Sequence, residues 1–205
     1  MTGTPRPRES SEGEGRAVAA FDTAEVFDAD YLYFYAERTG DQRSEAETDL
    51  IWQLLDLEPG MEVLDLACGH GRIANRLAAR GCRVTGLDAT PLFLQRARED
   101  AAARGVSVDY RLGDMRELPW PARFDRVVNW FTAFGYFDDP GNRKVLGETA
   151  RVLRPGGRFA LELNHLPWIL RNLQPSTTLE RDGDLLIDRS EFDAATNRMH
   201  PRRGR

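Results

Sequence analysis

Val63-Leu64-Asp65-Leu66-Ala67-Cys68-Gly69-His70-Gly71-Arg72 is an apolar run that takes in one carboxylate and then breaks into two glycines. The run is short and apolar at successive positions, which is the pattern of a strand buried on both faces. Gly69 and Gly71 permit a tight turn and close approach of a ligand to the backbone. The helix that follows presents free amides in its first turn. In an open parallel sheet, ligands bind beyond the carboxyl ends of the strands, so this turn is the first place to seek a site.

The same grammar repeats downstream. Residues 71–80 read as a helix ended by Gly81, and 82–88 as a second strand ending in Asp88. Thr90-Pro91 opens a helix that runs to about Arg104 and stops at Gly105. Residues 106–112 alternate as a third strand, 124–131 form a fourth, 142–153 a helix, and 158–163 a fifth strand after Arg154-Pro155-Gly156-Gly157. Strands alternating with helices predict an α/β fold, a doubly wound, mostly parallel, Rossmann-like sheet with helices on both faces. Asp182-Gly183, between apolar-alternating segments 177–181 and 184–192, predicts a C-terminal antiparallel β-hairpin.

Upstream, Ser44-x-x-Glu47 is a capping box, predicting a helix with Ala46, Leu50, Ile51, Leu54 and Leu55 on its apolar face and Pro59-Gly60 as its stop. Before it lies an aromatic cluster of Phe21, Phe27, Tyr31, Tyr33, Phe34 and Tyr35. Rings this dense in a polar flank pack on the core as a lid, and some line a ligand cleft; Tyr33 is the candidate taken here. The expected organisation is a disordered tail over 1–16, the aromatic lid over 17–43 and the core domain over 44–164. A partial substrate-side insert with the hairpin then covers 165–199, and a basic tail 200–205.

The chain has 205 residues, 41% hydrophobic and 30% charged, and a formal net charge of −5. That length suits one domain, and the acidic balance argues against nucleic acid as the main partner. No apolar run approaches the roughly 18 residues of a membrane span, and no signal-type apolar segment follows the N-terminus. Cys68 and Cys82 have no metal-ligand or redox-pair spacing and read as free buried thiols in a reducing cytoplasm. No metal is expected.

Three carboxylates collect at strand ends: Asp65, Asp88 and Asp114. Asp88 follows Gly71 by 17 residues, where a carboxylate can accept both hydroxyls of a ribose. Asp114 can reach an adenine amine, with Met115 against the ring face. Gly69-x-Gly71-x-x-Ala74 also satisfies the dinucleotide fingerprint, which keeps a nicotinamide-dependent oxidoreductase open. Asp65 weighs against it, because a pyrophosphate at this turn beside a carboxylate costs on the order of 1–3 kcal/mol in a partly desolvated cleft. A nucleoside carrying an ammonium and a sulfonium suits the same charges.

Residues 63–72 closely resemble the first motif of class I S-adenosylmethionine-dependent methyltransferases, with Ala67 where the first glycine usually stands. Residues 84–90, 113–119, 124–129 and 151–157 resemble the later motifs, in order. The resemblance implies S-adenosyl-L-methionine as cofactor, with Asp65, Ala67, Gly69 and Gly71 at the methionine end and Asp88 with Ala89 at the ribose. It also implies Asp114 and Met115 at adenine and Asn129 near the transferred methyl.

Methyl transfer is an in-line displacement at an already activated carbon, so the protein mainly aligns donor and acceptor. A base is needed only for a protonated amine or a hydroxyl. Tyr136 and His165 are the candidate catalytic side chains, and Phe131 and Phe134 candidate rings for an acceptor pocket. Asn129-Trp130-Phe131-Thr132 shares only its Asn with the Asn-Pro-Pro-Tyr motif of nucleic-acid amino-methyltransferases, so the expected acceptor is a small molecule. Members of the family usually end with a further helix and two strands, roughly 35 residues by ordinary element lengths. Only 13 residues follow Phe192, so that ending is expected to be missing. Strand five would then expose Phe159, Leu161 and Leu163 along an edge, to be covered by the hairpin, by a second copy in a homodimer or by another partner. A shortened module that binds cofactor but turns over weakly is the alternative function.

Overall fold

The structure, a computed structural model, describes residues 26–35 and 37–204. The tail expected over 1–16, Phe21 and the final Arg205 lie outside the described residues.

Helix α1 spans Ala29–Tyr35, a 3-10 turn spans Glu37–Thr39, and α2 spans Asp41–Leu54. The expected alternation follows: β1 Glu62–Leu66, α3 Ala74–Ala79, β2 Arg83–Asp88, α4 Pro91–Ala103 and β3 Asp109–Leu112. It continues with β4 Phe124–Asn129, α5 Asp139–Val152 and β5 Leu153–Leu161. Then come α6 Leu166–Asn172, β6 Ser176–Arg181, β7 Asp184–Asp193 and β8 Arg198–Gly204.

Strands β1 to β5 pair in parallel in the order β3-β2-β1-β4-β5. Chain order reverses between β1 and β4, so the crevice opens at the carboxyl ends of these neighbours. Period-two alternation splits β1 between two cores. Val63 packs with Ile51, Leu55, Leu94 and Ala97 on one face. Leu64 and Leu66 pack with Phe124, Val127, Val145 and Val152 on the other. Each such side chain contributes about 1.5–3 kcal/mol by leaving water, which makes β1 the fixed floor of the site.

Helix α2 departs from its expected form. It starts at Asp41 with Gly40 at the N-cap and no side-chain cap bond. Ser44 sits inside the helix, where its hydroxyl donates to Thr39 O, and Glu47 pairs with Arg43 and Arg72 instead of closing a box. The buried residues are Ser44, Thr48 and Ile51 with Leu55 just beyond, while Leu50 and Leu54 are 46% and 55% exposed. Charge sets this rotation: Arg76 and Arg80 reach Asp41, Glu45 and Asp49, turning the acidic flank of α2 toward α3.

The C-terminal region also departs. The hairpin forms, with Asp182 and Gly183 at φ 53° and 91° in its turn, but β8 adds a third strand antiparallel to β7. Residues 200–204, expected in a basic tail, are therefore strand residues. Their Arg-rich composition has no apolar alternation to read, and Pro201 is compatible with an outer strand. This second sheet is separate from the first and does not extend the β5 edge. It latches the aromatic segment instead: Tyr35 Oη donates to Asp188 Oδ2 at 2.7 Å, and Tyr33 Oη donates to Arg181 O at 3.1 Å. Arg198 Nη1 donates to Phe137 O at 3.1 Å, tying the same sheet to the loop before α5.

Candidate active site

A cleft of about 240 Å³ lies beyond the carboxyl ends of the parallel strands. Of the residues singled out from sequence, Asp65, Ala67, Gly69, Asp88, Ala89, Asp114, Met115, Phe131 and Tyr136 line it. Gly71, Asn129, Tyr33, Phe134 and His165 are not among its walls.

Each exception has a local reason. Gly71, at φ 79°, packs beneath the turn, where an added Cβ would overlap Tyr110 Oη and lie 2.8 Å from Ala97 Cβ. Asn129 is fully buried and donates Nδ2 to Leu66 O at 2.8 Å, joining the ends of β4 and β1. Tyr33 faces the second sheet. Phe27 and Tyr31 line the cleft in its place, four residues apart, while Tyr33 sits about 200° around the helix from Tyr31. Phe134 packs on the core that holds Leu64 and Leu66. His165 is exposed at the N-cap of α6, so the candidate base does not meet the site.

The turn after β1 carries left-handed backbone at Ala67, Gly69 and Gly71, with φ 60°, 56° and 79°. Ala67 thus keeps the glycine conformation that the family motif implies, at a cost of roughly 1 kcal/mol for its methyl group. Ala67→Gly is expected to raise stability by roughly 0.5 kcal/mol, after the added freedom of the unfolded chain offsets part of that relief. A urea unfolding series checks this.

The carboxylates behave differently from one another. Asp65 is 3% exposed, and its Oδ2 is buried with no hydrogen-bond partner among the described residues. Burial pushes its carboxyl up to about 7, against the pull of the Arg72 charge and the Ala74 amide. Asp88 accepts from the Gly69 amide through Oδ2 and from the Thr90 amide through Oδ1, both at 2.8 Å, so it clamps the glycine turn to the start of α4. Burial raises its carboxyl too. Asp114 is engaged by Arg116 through Nε, and that pairing holds its carboxyl below the usual range.

The three strand-end acids share the cleft with Arg72, Arg116 and His70. It is not uniformly acidic. Arg72 is signalled by its place directly after Gly71, but its inward direction depends on Glu47 from α2. The His70 ring packs edge-on to Phe93 at 6.4 Å, and burial pushes it down to about 4, so it is neutral at pH 7. Phe27, Tyr31, Phe93 and Tyr136 form a connected aromatic wall with centroid separations of 5.7 Å.

A buried carboxylate oxygen without a partner is costly unless a cation or donor meets it. The chemistry of the Asp65 Oδ2 therefore fits a cationic group such as an ammonium. Among the described residues no group of His, Cys, Asp and Glu could hold a metal ion, and no helix is long and apolar enough to cross a membrane. Cys68 and Cys82 are free and buried.

Residues 63–157 match the family described as Methyltransferase domain. The demethylmenaquinone methyltransferase of Thermus thermophilus is 39% identical over 121 residues, 55% of this chain and 54% of that protein. The chain spans about half, or less, of the length of the curated relatives it matches. The crystal structure of the PH0226 protein from Pyrococcus horikoshii superposes with a TM-score of 0.65 at 25% identity, covering 85% of this chain and 82% of that one. CalS10, an amino pentose methyltransferase from Micromonospora echinaspora solved with S-adenosylmethionine bound, shares the fold at a TM-score of 0.60 and 24% identity, over 84% of this chain and 80% of that one. The sheet order β3-β2-β1-β4-β5 and the motif order agree with the match of residues 63–157 to the methyltransferase-domain family.

Proposed function

We propose that this chain transfers a methyl group from S-adenosylmethionine to a small-molecule acceptor. The observation that carries the reading is the buried Oδ2 of Asp65, which has no hydrogen-bond partner among the described residues, inside a stretch that matches a methyltransferase domain. When bound, the cofactor supplies a methyl group already activated by its sulfonium. Asp65 holds the ammonium, Asp88 the ribose, and Asp114 with Met115 the adenine.

The chain's own contribution to transfer is alignment. Burial raises the Tyr136 hydroxyl well above its ordinary range, so it stays protonated and shapes the wall instead of removing a proton. The aromatic wall suits an apolar or planar acceptor whose attacking atom is already unprotonated. The named relative that acts on demethylmenaquinone supports a small organic acceptor. Holding two reactants in line can supply several kcal/mol, roughly 7–11 in well-oriented systems.

Incubation with methyl-labelled S-adenosylmethionine and a fractionated metabolite pool tests the proposal. Label is expected in a small organic fraction and absent from DNA and RNA. Label in nucleic acid alone would refute it. Asp88→Ala is expected to weaken S-adenosylhomocysteine binding by about 1–3 kcal/mol, the scale of a hydrogen bond to a charged group. Unchanged affinity by calorimetry would remove Asp88 from the ribose.

A further inference from the structure

The loop after β4 is strained. Phe131 and Thr132 follow one another in left-handed backbone, at φ 61° and 56°. Asn and Gly normally fill two such successive positions, and a bulky or β-branched residue there is an outlier. With Phe and Thr in those places, the loop keeps its shape only because its surroundings enforce it.

The enforcing contacts come from two sides. Glu162, one residue past β5, accepts from the Thr132 amide through Oε2 at 2.8 Å. Its own amide donates at 3.0 Å to the carbonyl of Asn129, the last residue of β4. One residue thus grips the loop at its root and, three residues on, at its bend. On the other side, the Phe131 ring packs against the guanidinium groups of Arg72 at 5.0 Å and Arg43 at 5.3 Å, both of which pair with Glu47. Trp130 Nε1 donates to the same carboxylate at 3.2 Å. Trp130, Phe131 and Ala133 line the cleft, while Thr132 and Glu162 are not among its walls. The strain is therefore held from outside the cleft, and its result is displayed inside.

We infer that Glu162 is a positioning residue for methyl transfer: its carboxylate fixes the left-handed bend at Thr132, and the bend sets Phe131 as the wall against which the acceptor lies. This rests on the proposed methyl transfer and extends it to the acceptor side. The donor's proposed contacts stand at the ends of β1, β2 and β3, so the loop after β4 is left to face the acceptor. A carboxylate suits the task, because an ionised acceptor holds an amide more strongly than a neutral one does. Without it, Thr132 relaxes to ordinary backbone and Phe131 leaves its place, while the donor end stays intact.

Labelled-methyl transfer into the small-molecule fraction that the wild type labels, run beside calorimetry with S-adenosylhomocysteine, tests this. Glu162→Ala is expected to slow transfer by roughly tenfold to a hundredfold, the scale of a misplaced reactant, while cofactor affinity changes little. Glu162→Gln keeps an oxygen for the Thr132 amide and retains most of the rate. Adding Thr132→Asn to Glu162→Ala is expected to restore much of the loss, because Asn enters the left-handed region far more readily than Thr. Thr132→Asn alone is expected to raise the unfolding midpoint, which tests the strain even if Glu162→Ala does not fold; a lowered midpoint overturns the assignment. So does unchanged transfer in Glu162→Ala, or an equal loss of transfer and cofactor affinity that Thr132→Asn does not repair. A wild type that labels no acceptor overturns the parent reading instead. Trp130 emission, taken as the difference from Trp130→Phe, then decides on Glu162: a shift in Glu162→Ala that Thr132→Asn reverses upholds its hold on the loop, and unaltered emission overturns it.

Discussion

Asp65→Asn is expected to lower affinity for S-adenosylhomocysteine by roughly a hundredfold, about 3 kcal/mol, while making the ligand-free protein more stable. The two effects have one cause. The carboxylate is buried, one of its oxygens has no hydrogen-bond partner among the described residues, and burial pushes it up to about 7 from the ordinary 3.8. Below the unfolded value the carboxyl is neutral in both states and costs nothing. Between 3.8 and about 7 it is protonated only in the folded chain, so stability falls as pH rises, and above about 7 the full penalty is present. Asn removes that penalty, worth up to about 4 kcal/mol at pH 8. It also removes the charge that a ligand ammonium needs. A urea series from pH 5 to pH 8, run beside calorimetry, reads both halves. Lower stability together with unchanged binding would mean that Asp65 serves the fold.

Gly71→Ala is expected to cost roughly 2–5 kcal/mol, combining left-handed backbone strain with overpacking. Gly71 has φ 79°, and a Cβ there would overlap Tyr110 Oη and press on Ala97 Cβ at 2.8 Å. Tyr110 has little freedom to retreat: its hydroxyl donates to Asn75 Oδ1 at 2.7 Å, and its ring passes within 2.7 Å of where a Cβ on Gly86 would lie. The glycine thus lets α3, α4 and β3 close beneath the turn. The change is expected to be sub-additive with Tyr110→Phe, since removing the hydroxyl relieves part of the overlap. Unfolding midpoints of the two single variants and the double variant measure this. Full additivity would mean that the two sites do not touch.

The parallel sheet was legible because its strands are near-continuous apolar runs, and Val63, Leu64 and Leu66 could be buried only with helices on both faces. The strand-end carboxylates were legible for the same reason, since β-strand termini fix where Asp65 and Asp88 stand. Rotational phase was not legible. Leu50 and Leu54 look like a core face until Arg76 and Arg80 claim the acidic side of α2. Phe27 and Tyr31 are indistinguishable from Tyr33 by composition, and the latch of Tyr33 onto Arg181 decides between them. His165 follows the end of β5 by four residues, but the chain turns into α6 there and leaves the ring exposed. Strand β8 carries no apolar alternation, so pairing with β7 was invisible in its residues.

The central claim is that a cation, not a phosphate, completes the buried carboxylate at the end of β1. Calorimetric titration of the wild type at pH 6 with S-adenosylhomocysteine and with NADH, in two buffers of different ionisation enthalpy, tests it most directly. Binding of the sulfur nucleoside with release of a proton from Asp65, and no binding of NADH, is the expected result. NADH binding with proton uptake, and no response to S-adenosylhomocysteine, would contradict it.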